Sequence, residues 1–390
     1  MKYNFDELTE RRGTNCVKWD EETPSQTERG LLSEDIIPLW VADMDFRAAP
    51  AIVEAIRKRA EHGIFGYTLV DEAYYEAVIS WFQRRHQWTI CREEILYTTG
   101  VVPAISVAIK ALTMSGEKVL MLSPGYNCFF SSIRNNGCEV LETILRRRGY
   151  GFEVDFDDFE RKCSDGKTTV FLLCNPHNPT GRVWTAEELS TMNDICLRHG
   201  VKVVSDEIHC ELMMPGHRFH PFAAVNEACR RNSVVLNSPS KSFNIAGLQI
   251  ANIICANPEW RRRLDRAVNI NEVCDVNPFG AEALKAAYNE SEEWIDNLNE
   301  YLWGNYQLLC RFAAERLPQW RVCDLEGTYL VWIDITATGL TSQEYADKLL
   351  REAGIWVNPG TMYGTQSGEG YIRINIACQR NRLREALERI

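Results

Sequence analysis

The chain has 390 residues, enough for about two or three structural units and a substantial buried core. Its apolar and charged fractions, 45% and 25%, are those of a globular protein in water, and a net charge of −11 with no dense Lys/Arg block excludes a nucleic-acid footprint. No apolar run approaches the roughly 18 residues of a membrane span, and the first residues carry no apolar leader, so no membrane association and a cytoplasmic protein are expected. The 14 cysteines form no Cys-x-x-Cys pair. Several, such as Cys174 and Cys255, lie in apolar runs and read as small core residues, so neither a metal site nor a disulfide framework is expected. The triplets Arg146–Arg148 and Arg261–Arg263 read as solvated faces.

Residues 1–48 have little periodicity and are expected to form an arm that packs with a small C-terminal domain. Pro50 opens a helix that Gly63 closes, and Tyr74, Val78 and Phe82 give a second helix, 71–87, its apolar stripe. Strands and helices then alternate. Strands are expected over 94–98, 118–122, 140–145, 169–174, 201–204, 234–236 and 250–255. Pro103 is expected to begin a helix, and Thr185-Ala-Glu-Glu188 is a capping box for another. This order implies an α/β fold, with a mostly parallel seven-stranded sheet flanked by helices in a large domain over 49–285. Past residue 285 the pattern changes to a long charged helix, 292–315. Strand 329–335, helix 342–353, strand 371–376 and a last helix follow, implying a small α+β domain over 286–390.

Several chemistry-bearing residues stand just beyond expected strand ends: Gly100, Tyr126, Asn178, Asp206 and Lys241. In an open parallel sheet those ends share one rim, where ligands bind. A desolvated lysine can lose its proton and form a Schiff base with a carbonyl. The serines Ser238 and Ser240 bracket Lys241 with hydroxyls suited to an oxyanion. A carboxylate holds a protonated ring nitrogen, an amide bonds a ring oxygen, an aromatic stacks on a ring, and a helix start takes a phosphate. That inventory matches the needs of pyridoxal 5'-phosphate.

Five stretches, in order, carry a resemblance. They are Trp40-Val-Ala-Asp-Met-Asp-Phe46, Phe65-Gly-Tyr-Thr68, Asn175-Pro-His-Asn-Pro-Thr-Gly-Arg-Val-Trp184, Ser205-Asp-Glu-Ile-His209 and Ser238-Pro-Ser-Lys-Ser-Phe-Asn-Ile-Ala-Gly247. From about Val17 onward the chain resembles fold-type I, aspartate-aminotransferase-like enzymes of class I/II. Within them it resembles the cystathionine β-lyase and maltose-regulon-modulator branch. The resemblance implies that Lys241 binds the cofactor aldehyde, Asp206 pairs with its ring nitrogen, and Asn178 bonds its ring oxygen with His209 nearby. It places Tyr126 on the ring face, and the N–H groups of Val101 and Val102, after Gly100, on the phosphate with Ser238 and Ser240. Tyr67 would reach the phosphate of a neighbouring subunit, so a homodimer with shared sites is implied. Arg373 would clamp the substrate carboxylate, with Asp43 and Trp40 near the substrate. The alternatives are a satisfied core histidine for His209, interface packing for Tyr67, and closure of the arm over the core for Asp43 and Trp40. Asn175 reads as a turn residue.

Two departures from related patterns bear on the reaction. Many aminotransferases carry an arginine eight residues after the lysine; here Gln249 stands there, which favours a lyase. Lyase relatives often continue the stacking tyrosine with Tyr or His and then Pro; here Asn127 and Cys128 follow Tyr126. Asn127 cannot act as an acid toward a leaving thiolate. The implied activity is β-elimination from an S-linked cysteine amino acid, giving a thiol, pyruvate and ammonia. An aminotransferase of a small or aromatic amino acid, or a cofactor-retaining regulatory protein, are the alternatives.

Overall fold

The computed structural model describes residues 3–20 and 35–390. The expected arm is therefore described except for 1–2 and 21–34. Seven strands form one sheet: β1 (Ile95–Thr98), β2 (Lys118–Ser123), β3 (Glu139–Ile144), β4 (Thr168–Cys174), β5 (Lys202–Asp206), β6 (Ser233–Asn237) and β7 (Ala251–Ile254). Their order is β1-β7-β6-β5-β4-β2-β3. All the pairs from β6 to β3 are parallel, while β7 runs antiparallel to both β6 and β1.

Side-chain alternation builds two apolar layers on this sheet. On β2, Val119 and Met121 join the cluster that includes Ala108 and Leu264, whereas Leu120 and Leu122 join the one that includes Phe159 and Leu189. Successive strand residues point to opposite faces, so a sheet buried on both sides shows apolar residues at every position. Helices Val101–Leu112 and Pro258–Ile270 cover one face; Phe156–Cys163 and Ala186–Arg198 cover the other. The Thr185 cap is present: its hydroxyl accepts from Glu188 N–H at 3.1 Å, and Glu188 Oε2 accepts from Thr185 N–H at 2.8 Å.

One expected boundary shifts, and further elements appear. The helix expected from Pro103 begins at Val101, because proline is tolerated throughout a first turn whose N–H groups have no helical partner anyway. Helices Pro258–Ile270 and Pro278–Glu290 were not anticipated; each starts with proline after an asparagine whose Oδ1 caps the first turn. Arg146–Arg148, expected as a solvated face, forms a strand paired with Gly151–Glu153, with Arg146 and Arg148 exposed.

The C-terminal part carries an antiparallel sheet of Arg321–Val322, Leu330–Asp334, Tyr371–Asn375 and Asn358–Pro359. The arm is bonded to this part. Ile37–Pro38 pairs in parallel with Ile355–Trp356, and Asp45 N–H donates to the Ala377 carbonyl at 2.9 Å. A second clamp ties the arm to the loop between β6 and β7. Asn244 Nδ2 donates to the Met44 and Phe46 carbonyls at 2.9 and 2.7 Å, and its Oδ1 accepts from Met44 N–H at 3.0 Å. Among the described residues no helix is long and apolar enough to cross a membrane.

Candidate active site

The parallel strands deliver five loops to one rim, and a cavity of ≈ 210 Å³ opens there. Nine residues singled out from the sequence line it: Gly100, Val101, Val102, Tyr126, Asn178, Asp206, His209, Ser240 and Lys241. The Asn244 clamp brings the arm over this rim, and Lys241 Nζ donates to the Ala42 carbonyl at 2.6 Å. The Tyr329 hydroxyl donates to that same oxygen at 2.9 Å. Ala42 and Tyr329 were missed in the sequence, since a main-chain acceptor leaves no trace in residue type.

The electrostatics follow from burial. Asp206 ends β5 and is enclosed on all sides. Burial pushes its carboxyl up to about 7, against the pull of the Ile208 N–H, which donates to Oδ1 at 3.1 Å, and of Lys241. It makes no ion pair among the described residues. The Lys241 amine is held below the usual lysine range, chiefly by desolvation and further by the Arg373 charge; Asp43 and Asp206 pull the other way. Burial, then Lys241 and Arg373, push His209 down to about 3, so its ring is neutral, and its Nδ1 is buried without a partner among the described residues. Burial raises Tyr126 far above the usual tyrosine range, and the Cys128 thiol beside its hydroxyl adds to this, so the phenol stays protonated.

The donor set fits pyridoxal phosphate. A buried carboxylate without an ion pair suits a cationic ring nitrogen. Gly100 caps the Val101–Leu112 helix without a side-chain cap bond, leaving first-turn N–H groups to face an anion at the cavity wall. The orphaned His209 Nδ1 is a further polar atom with capacity to spare.

Five residues singled out from the sequence do not line the cavity. Ser238 is turned away: its hydroxyl donates to the Ile250 carbonyl at 2.5 Å and accepts from Ser240 N–H at 3.0 Å, fixing the turn. Arg373 stands behind the wall, donating to Asn178 Oδ1 at 3.1 Å and to the Trp40 carbonyl at 2.8 Å. Its Nε is buried and unpartnered among the described residues, and its guanidinium lies 4.7 Å from the Tyr363 ring centroid. Trp40 stacks on Trp356 at 4.3 Å, and Asp43 is held by Arg11 at 2.6 Å. Trp40 thus packs the arm against the C-terminal part, and Asp43 is held within the arm. Tyr67 is fully exposed and does not line its own chain's cavity. Asn175 is buried in the turn, where Nδ2 donates to the His220 carbonyl at 3.1 Å. Gln249 is an exposed residue with φ 51°, also outside the lining.

Residues 34–390 match the family described as aminotransferase class I and II. The chain is 40% identical over 387 residues to cystathionine beta-lyase PatB of Bacillus subtilis (strain 168), covering 99% of this chain and 98% of that protein. Among solved structures it superposes on cystalysin from Treponema denticola, which contains a pyridoxal 5'-phosphate cofactor, with a TM-score of 0.95 and 32% identity over 100% and 98% of the two chains. It also superposes on the pyridoxal-phosphate-bound C-S lyase from Staphylococcus hominis, with a TM-score of 0.90 and 32% identity over 99% and 97%. The fold is thus the aspartate-aminotransferase-like one. With the family's pattern matched over nearly the whole length and a rim of lysine, aspartate and asparagine around one cavity, the chain belongs to the aminotransferase class I and II family.

Proposed function

We propose that this chain is a pyridoxal-phosphate-dependent carbon–sulfur lyase of the cystathionine β-lyase type. It would cleave an S-linked cysteine amino acid to a thiol, pyruvate and ammonia. The observation that carries the reading is the enclosure of Lys241 Nζ and Asp206 at one cavity, in a chain so similar to PatB and the C-S lyase. The cofactor, when bound, supplies an aldehyde for the substrate amine and an electron-withdrawing ring.

The chain's own groups do the rest. Asp206 would hold the ring nitrogen, Asn178 the ring oxygen, Tyr126 the ring face, and the first-turn N–H groups with Ser240 the phosphate. Arg373, which stands behind the wall, would clamp the substrate carboxylate by exchanging its Nη bonds to Asn178 and the Trp40 carbonyl for a guanidinium–carboxylate fork, which fixes orientation as well as charge. Lys241, with its amine held neutral more readily than in water, takes the Cα proton as general base. The same proton then serves the departing sulfur. The Asn127 amide has no acidic proton, and the phenol of Tyr126 is held in its protonated form by burial. The arm over the rim excludes water while Cα is deprotonated.

The reading extends to organisation. Residues 1–48 act as the arm, 49–285 as the large cofactor-binding domain and 286–390 as the small domain. Two chains form a dimer in the cytoplasm, with the exposed Tyr67 of one serving the phosphate of the other.

The test is direct. Purified protein is given L-cystathionine with no keto acid, and pyruvate is measured. Pyruvate formation without acceptor is expected. Cystathionine consumed only when a keto acid is added, with its keto analogue formed and no pyruvate, would make the chain an aminotransferase instead.

A further inference from the structure

The stretch of arm that crosses the rim, residues 40–46, is held by its carbonyls. Asn375 Nδ2 donates to those of Val41 and Asp43, both at 2.6 Å, and Arg373 donates to that of Trp40 at 2.8 Å. Asn244 holds those of Met44 and Phe46, so the backbone is fixed on either side of Ala42. The Ala42 carbonyl takes two donors of another kind: Lys241 Nζ at 2.6 Å and the Tyr329 hydroxyl at 2.9 Å.

Tyr329 immediately precedes the strand Leu330–Asp334 and is fully buried. Burial, then the Asp43 charge, raises its phenol far above the usual tyrosine range, so the hydroxyl keeps its proton and donates it. Its ring meets that of His209, which lines the cavity, edge-on with centroids 6.0 Å apart.

A buried tyrosine hydroxyl ordinarily finds some acceptor. Two facts set this one apart. The arm is already held at both neighbouring carbonyls by Asn375, and the acceptor that Tyr329 takes is the one that holds the lysine amine. A carbonyl oxygen has two lone pairs, and its partial charge is here divided between two donors. An oxygen that accepts from an amine favours the charged form, since a charged donor makes the stronger bond. Dividing that oxygen therefore weakens its support for the ammonium. Other groups act on the same amine: Asp43, Asp206 and, if ionised, Cys128 favour its charge, while Arg373 opposes it. The ring of His209 is neutral.

We infer that Tyr329 is a positioning residue for Lys241: by sharing the Ala42 carbonyl it limits that oxygen's hold on the charged amine and keeps the neutral amine, the form that takes the Cα proton, populated near neutral pH. This rests on the general-base reading of Lys241 above.

Tyr329→Phe tests it, since it removes only the oxygen. In the full-length chain freed of cofactor, amines are labelled with acetic anhydride at pH 7, and the Lys241 and Lys202 peptides are quantified by mass. Lys202, at the end of β5 opposite Asp206, is the internal reference. The Lys241-to-Lys202 ratio is expected to fall about tenfold, the scale of one hydrogen bond to a charged group. In the holoenzyme, the acid limb of kcat for pyruvate from L-cystathionine is expected to move up by about one pH unit, with KM unchanged. Only folded enzyme turns over, so the limb reads the same property in a less stable variant. A labelling ratio at or above the wild-type value, or an acid limb at the wild-type pH, overturns the assignment. The ratio needs no turnover, so it decides on Tyr329 even if the wild-type protein releases no pyruvate without a keto acid, the result that overturns the lyase reading.

Discussion

Two aspartates in this chain are buried to the same depth, and their fates differ. Asp45, in the arm, is 2% exposed, and Asp206, at the end of β5, is also 2% exposed. Burial alone would raise both carboxyls. At Asp45 it is overcome: Lys18 at 3.0 Å, Trp19 Nε1 at 2.9 Å and Arg11 at 2.7 Å hold the carboxyl below its usual range. At Asp206 it wins, and the carboxyl is pushed up to about 7. A buried charge that is fully paired holds the arm on the core. A buried charge that is left unpaired beside a cavity is poised for a cation that the chain itself does not carry. The same contrast separates neighbours on one loop. Glu211 is answered by His86, Arg85 and Trp81, while Glu207 has an unpartnered Oε2 and is pushed up to about 8, chiefly by burial.

The sharpest break of this contrast removes the amine at the cavity. Lys241→Ala is expected to lower turnover by about four decades, the upper range for a general base. Borohydride should then no longer fix the cofactor to the chain, as peptide mass mapping would show; fixation on another lysine would move the site. Asp45→Asn tests the other side. It leaves Lys18 with a neutral neighbour and only Asp43, at 3.7 Å, as a carboxylate partner, and loss of one member of a buried pair costs up to about 3–5 kcal/mol. Urea unfolding should report that loss at every pH near neutrality, and a stability within about 0.5 kcal/mol of wild type would mean that the arm's ion cluster is idle.

Asp206→Asn should behave in the opposite way. Folded Asp206 keeps its proton up to about pH 7, whereas an unfolded aspartate gives it up near about 3.9. Between those values the folded state binds the extra proton, so this group makes stability fall as pH rises from about 4 to about 7, and the loss persists above. In cofactor-free protein at pH 8, Asp206→Asn is therefore expected to raise the melting temperature by a few degrees. In the holoenzyme it should lower turnover by about two decades, the scale of removing a preorganised electrostatic partner. A variant that loses stability without cofactor would place Asp206 with the paired charges.

Much of this was legible in the sequence, for physical reasons that stop at definite points. The strands were readable because a sheet covered on both faces needs apolar residues at successive positions, as from Val119 to Leu122. The reversal of β7 was not, because a buried antiparallel strand has the same composition as a parallel one. The rim residues were readable because the residue that follows a parallel strand has only one place to go. Ser238 misled, since a hydroxyl in a turn serves the backbone as readily as a ligand, and here it bonds Ile250. The Ala42 carbonyl under Lys241 was invisible, and so was the Asn244 clamp that carries it there.

The smallest expected effect concerns Tyr67, which contrasts with the buried rim by being fully exposed on its own chain. Phe65 and Leu69 beside it are also exposed, a run of apolar side chains that one chain alone leaves in water. In a closed symmetric dimer this segment would meet the partner, and each site would be built from both chains. A phosphate oxygen that loses one charged hydrogen bond costs about 1–3 kcal/mol. Tyr67→Phe is thus expected to weaken cofactor binding about tenfold, read as cofactor release on dilution, while urea stability without cofactor stays at the wild-type value. Subunit mixing tells which chain the hydroxyl serves. Combined with Lys241→Ala subunits, Tyr67→Phe subunits give mixed dimers in which one site carries both lesions and the other neither. Activity above that of the unmixed parents is expected at limiting cofactor. An absence of recovery, with exchange verified by differently tagged chains, would mean that Tyr67 acts on its own chain or on none.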